Sequence, residues 1–206
     1  PQPPGFLVGS HRLECYPNRV TVDGRDAFRF DSAHGAAGLY YYAQGRLFFH
    51  VAQANSPERR TAIHACPWDI EAQPEPVLEQ AVILPLTAPG EFPYSYGQQN
   101  NDVLVGSNNG GLYRFRDGQW STLRTADPKT SFQLYAMINY RNRLFMGQYP
   151  SGELFEMVGN EMKRLDGWPP RPERASASAR EAQTLTLYRG DLFAGVWPWG
   201  EVWRLQ

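Results

Sequence analysis

The sequence predicts an all-β chain assembled from repeated antiparallel units. Turn formers are dense, with 19 Gly and 17 Pro in 206 residues, so long helices are disfavoured. Aromatic residues make up 14% and hydrophobic residues 42%, enough apolar surface for a packed core. An apolar triplet, usually closed by Gly, recurs five times. It reads Phe6-Leu7-Val8-Gly9, Leu47-Phe48-Phe49-His50, Val103-Leu104-Val105-Gly106, Leu144-Phe145-Met146-Gly147 and Leu192-Phe193-Ala194-Gly195. Its closing positions are spaced by 41, 56, 41 and 48 residues, the length of four short strands and their turns.

The last three copies define the unit. Ahead of the triplet runs a first strand, Leu134–Tyr140 in one copy and Ala182–Tyr188 in the next. The turns Arg141-Asn142 and Arg189-Gly190 follow as hairpin signals. The triplet is the second strand. A short loop leads to a Gly and a third strand, in Gly111-Leu112-Tyr113-Arg114, Gly152-Glu153-Leu154-Phe155 and Gly200-Glu201-Val202-Trp203. Gln119–Leu123 and Glu161–Leu165 supply fourth strands. The closing glycine is expected either to take a backbone shape other residues resist or to admit a close neighbour.

The units are expected at about 1–35, 36–88, 89–130, 131–180 and 181–206. The first is read as starting at its second strand, Phe6–Val8, with Ala27–Phe30 as its last strand. The second carries an insertion at 52–61, and the fifth has no fourth strand. Four-stranded units at this period predict a single β-propeller domain of four-stranded antiparallel blades. The ring is expected to have four or five blades, or the chain to be part of a larger ring. The chain does not begin with Met, which fits either a processed protein or a piece of a longer one.

The pattern Gly-x4-Gly-x-(Leu/Val)-aromatic-charged resembles divergent bacterial propeller repeats, akin to kelch and sialidase-type blades. The resemblance is clear over residues 90–206. Gly110-Gly111 approaches the kelch doublet once, Trp68-Asp69 lies outside the repeat, and Ser107-Asn108-Asn109-Gly110 imitates a sialidase Asp box with Asn for Asp. The resemblance implies a fold and leaves the function open.

Net charge is −1, which argues against a nucleic-acid partner. No apolar run is long enough to insert in a membrane. Of the 20 cationic residues only Lys129 and Lys163 are lysine, a bias read as compositional because the arginines are scattered. Cys15 and Cys66 are too few for a disulfide scaffold. They are expected to be unbonded, at near-equivalent third-strand positions of neighbouring blades.

In a propeller the loops between second and third strands share a face with the connections between units, and function tends to sit in such loops. Trp197-Pro198-Trp199 is the sharpest feature there, two rigid indoles on which a sugar or cation can stack. Tyr149 occupies the equivalent loop position, and Asn108 and Asn109 the loop before; His34 is a further polar candidate. The alternative reading of these aromatics is packing at the sheet ends. The weak catalytic candidates are carboxylates at or before first strands, Asp31, Glu91, Asp127 and Glu181, since glycoside hydrolysis needs two such groups. Ala126-Asp127-Pro128 also reads as an Asx turn. His50 and His64 flank the insertion and are read as facing one another, which is too thin for a metal site. The stretch 171–180 reads as a mobile loop, with an anion-binding lid as its alternative. No cofactor motif is present. The leading expectation is a non-catalytic propeller binding a small molecule, glycan or protein partner, carbohydrate first. A propeller glycoside hydrolase is the alternative, and structural blades within a larger protein the third.

Overall fold

The computed structural model describes residues 5–30, 35–52 and 61–205. They form two compact units, residues 1–92 and 93–206, and both are built from up-and-down antiparallel sheets. The first unit holds two sheets: β1 (Gly5–Val8), β2 (His11–Tyr16), β3 (Arg19–Val22) and β4 (Arg25–Arg29), then β5 (Ala36–Ala43), β6 (Arg46–Ala52), β7 (Thr61–Pro67) and β8 (Val82–Pro85). The second holds three. They are β9 (Pro93–Gln99) to β12 (Gln119–Arg124), with β10 (Asp102–Ser107) and β11 (Leu112–Arg116) between; β13 (Gln133–Tyr140), β14 (Arg143–Tyr149), β15 (Leu154–Val158) and β16 (Glu161–Arg164); and the three-stranded sheet β17 (Glu181–Tyr188), β18 (Asp191–Trp197) and β19 (Glu201–Leu205). A single 3-10 turn at Leu78–Gln80 is the only helical element among the described residues.

Local chemistry accounts for the hairpins. Arg141 and Asn142 both take positive φ, as do Arg189 and Gly190, so each pair makes the two-residue turn whose twist matches its strands. The triplets from Leu47 onward are second strands, and in β10, β14 and β18 they are buried along their length or on alternate residues.

The closing glycines act by admitting a neighbour. Gly106 and Gly147 do not take positive φ. A Cβ on Gly106 would meet the Leu134 side chain at 2.6 Å, and one on Gly147 would meet the Ala182 carbonyl oxygen at 2.1 Å. In both, the first strand of the following sheet presses against the second strand of the preceding one. Gly9 resembles them only in sequence. Its φ is +58° and it sits in the β1–β2 turn. The first sheet is therefore complete, with Phe6–Val8 in its first strand and Arg25–Arg29 in its last, which corrects the expected start at a second strand. Cys15 accordingly lies on the second strand of its sheet and Cys66 on the third of the next, so their positions are not equivalent. Both thiols are free and buried.

Leu13, Cys15, Val20 and Phe28 of the first sheet pack with Ala37, Leu47, Phe49, Cys66 and Trp68 to form the core of the first unit. Trp68 is fully buried, edge-on to Phe28, and donates its indole N–H to the Gln73 carbonyl; it is a packing residue. In the second unit, Leu104, Leu112, Leu134, Leu144, Met146 and Met157 join the first two sheets. Tyr140, Phe145, Leu154, Ala182, Leu192, Ala194 and Val196 join the last two.

Candidate functional site

The first strands of the second unit, β9, β13 and β17, are each an edge of their sheet, and β13 lies against both β9 and β17. All three carry an irregularity at the same place. The pairing skips one residue between Pro93 and Ser95, one between Leu134 and Ala136, and one between Ala182 and Thr184. The extra residues are Tyr94, Tyr135 and Gln183. A bulge leaves its residue outside the ladder and re-aims its side chain. Tyr94 and Tyr135 consequently stack, with ring centroids 4.8 Å apart and planes 21° from parallel. The buried Ser95 hydroxyl donates to the Leu134 carbonyl at 2.6 Å, tying the two strands beside the bulges.

Around this pair stand residues singled out in the sequence. Tyr149 ends β14 opposite Gln133, and Trp197 ends β18 opposite Glu181. The two aromatics thus hold the same place in successive sheets, and each precedes a cis proline. Tyr149 is half-buried, whereas Trp197 is 51% and Trp199 62% exposed. Glu181 and Tyr149 are both close enough to Tyr135 to act on it electrostatically. Burial above all, then the neighbouring Tyr94 and the Glu181 carboxylate, push the Tyr135 phenol well above its ordinary range. Glu181 is half-buried, and desolvation raises its carboxyl above the usual carboxylate value. The Gln133 amide oxygen is buried without a hydrogen-bond partner among the described residues.

The remaining candidates go elsewhere. Asp127 is exposed. Its carboxylate accepts from the Lys129 amide at 2.9 Å and the Thr130 hydroxyl at 2.6 Å, which holds its pKa down. It forms the Asx turn. Glu91 is buried within the first unit. Asp31, His34 and most of the 52–61 insertion lie outside the described residues. Asn109 is half-buried, and its backbone carbonyl accepts from the Asp127 amide while the residue bridges to Phe132, so Asn108 and Asn109 sit in a loop fastened to the next connection. His50 and His64 do not face one another. His64 pairs with Phe49 and His50 with Ile63, so the two imidazoles lie on opposite faces of their sheet. His64 stacks on Phe49 at 5.1 Å, and His50 fills the space that Gly38 leaves open. No group of three or more His, Cys, Asp or Glu able to hold a metal occurs among the described residues.

The low-complexity stretch 171–180, expected to be a mobile loop, is pinned at its last residue. Arg180 is buried, its guanidinium gripping Glu201 through Nε at 3.0 Å and a second nitrogen at 2.5 Å and also donating to the Pro170 carbonyl. Its amide donates to the Pro150 carbonyl, which repeats the fastening seen at Asn109. Sequence reasoning missed the bulged tyrosines. The one available signal was the alignment of Leu134-Tyr135-Ala136 with Ala182-Gln183-Thr184, which carried no hint that the middle residue leaves the ladder.

The sequence matches no protein-family model and no curated protein. Its fold is similar to two crystal structures of the extracellular domain of BT4673 from B. thetaiotaomicron. In one, BT4673 is described as a one-component system; that structure is 15% identical, with a TM-score of 0.55, over 93% of this chain and 24% of the other. In the second it is described as a hybrid two-component system, 14% identical, with a TM-score of 0.57, over 95% and 25%. The chain therefore spans about a quarter of the length of those structures.

Proposed function

We propose that the sheets are blades of a β-propeller, forming a single domain or part of a larger ring, and that the protein is a non-catalytic binding module with carbohydrate as its first ligand class. The observation that carries this is the convergence of bulged Tyr94 and Tyr135 with Tyr149, Trp197 and Glu181 at one end of the first strands. Aromatic faces beside a few polar groups match the stacking surface and hydrogen-bonding edge that a sugar ring requires. The likeness in fold to an extracellular domain of a signalling system supports recognition of a ligand outside the cell. The glycosidase alternative draws on one feature, the raised pKa of Glu181, which suits a general acid. It also needs a second carboxylate about 5–10 Å away, and Asp127 is engaged in its turn.

A glycan array followed by titration calorimetry tests the reading. The wild-type protein is expected to bind at least one oligosaccharide, and Tyr135→Ala and Trp197→Ala each to weaken it by about tenfold. Unchanged binding in both variants would remove this site. Cleavage of chromogenic glycosides that disappears in Glu181→Gln would replace the binding role with catalysis.

A further inference from the structure

Partly or fully buried carboxylates of the second unit follow a rule. Asp102 pairs with Arg116, Glu153 with Arg164, Glu156 with Arg143, Asp191 with Arg204 and Glu201 with Arg180. Glu181 is also half-buried, yet none of the described residues supplies it with a cation or a hydrogen bond. Its sequence neighbour Arg180 is spent on Glu201 and Pro170. A desolvated carboxylate without a counter-charge is unfavourable unless something else neutralises it. The surroundings of Glu181 specify what would: the ring of Trp197 across the strand pair, Tyr135 nearby with Tyr149 among its other neighbours, and the orphan amide oxygen of Gln133 opposite Tyr149. These offer π faces and hydrogen-bond acceptors, the complement of an ammonium group.

We propose that the site formed by Glu181, Tyr135, Tyr149, Trp197 and Gln133 takes a ligand bearing a positively charged amine. The inference rests on the binding reading above and narrows its ligand class. The ammonium sits against the Glu181 carboxylate and donates to the Gln133 amide oxygen, and the tyrosine and tryptophan rings cover its carbon-bound faces. An amino sugar supplies both the amine and a body for stacking, whereas a simple quaternary amine supplies only the charge.

Calorimetric titration with four probes separates the possibilities: glucosamine tetramer, its fully N-acetylated counterpart, cellotetraose and choline. The expected result is that glucosamine tetramer binds at least about tenfold more tightly than the N-acetylated form, and that isosteric Glu181→Gln erases the difference. A thermal unfolding midpoint for ligand-free Glu181→Gln at or above that of wild type serves as the folding control. If that variant unfolds, Trp197→Ala, which alters an exposed ring, is expected to weaken glucosamine tetramer and choline alike. Choline binding that is lost in Glu181→Gln, without binding of any saccharide, would support the ammonium site and remove the carbohydrate reading. Equal affinity for the amine and its acetylated form would overturn the inference and leave the carbohydrate reading standing. Binding of none of the four would overturn both.

Discussion

A strand glycine is ordinarily a weak point, and exchanging it for alanine reduces the entropy lost on folding. Gly147 reverses that sign. An added Cβ would stand 2.1 Å from the backbone oxygen of Ala182, and backbone cannot swing aside as a flexible side chain does. Gly147→Ala is expected to destabilise the protein by about 1–3 kcal/mol. Gly195 holds the same place in the last sheet, where the nearest atom to an added Cβ is 3.5 Å away. Gly195→Ala should stay within about 0.5 kcal/mol of wild type. Urea midpoints for the two variants check the pair, and equal losses would show that the close approach is not what the glycine serves. The triplet pattern made these glycines visible, but it also admitted Gly9, a turn residue with positive φ. Sequence cannot separate a glycine kept for backbone shape from one kept for a neighbour.

Among the elements, the connection between β16 and β17 shows how a sequence that looks loose can be held. Serines and alanines at 175–179 offer little to a core, but Arg180 closes the stretch with a buried ion pair to Glu201, whose carboxylate also accepts from the Trp203 indole at 2.7 Å. Removing one member of a buried pair strands the other charge. Arg180→Met is therefore expected to cost about 3–5 kcal/mol, and adding Glu201→Leu to recover most of that loss. Chemical denaturation of the single and double variants measures it, and additive losses would mean the pair is not coupled. The anchor was hidden in the sequence because its two halves lie 21 residues apart and nothing in either segment marks the other. The bulges at Tyr94, Tyr135 and Gln183 were hidden for a related reason: each exists only relative to the register of a partner strand.

Across the whole molecule, titration is unevenly distributed. All four histidines, His11, His34, His50 and His64, belong to residues 1–92. Burial lowers the pKa of both His50 and His64 below the ordinary 6.5, because each imidazole resists charging in an apolar setting. A lowered pKa means that the unfolded chain binds more protons, so this stability is present above about pH 6.5 and is lost as pH falls toward the folded values. His11 runs the other way, raised first by its hydrogen bond to Asp23, but it is half-buried beside an exposed partner, so the pair is solvent-screened. Acidification from pH 7.5 to 5.5 should thus weaken the first unit and spare the second. Hydrogen exchange, corrected for its intrinsic pH dependence, should accelerate in β6 and β7 relative to β10 and β14. Equal acceleration in all four strands would contradict it.

What the sequence determined by itself was the architecture: hairpin turns, apolar second strands and a period near forty residues specify repeated antiparallel sheets, because these depend on neighbours along the chain. It also marked Tyr149 and Trp197 as equivalent positions and Glu181 as a carboxylate at the start of a first strand. Tertiary structure alone decided which of the marked residues meet. Asp127 was drawn into its own turn, His50 and His64 fell on opposite faces of one sheet, and Tyr94 and Tyr135 came together from strands of different sheets. Stacking, ion pairing and desolvation act between groups close in space, and a site built from them becomes legible only when the register of each strand is known.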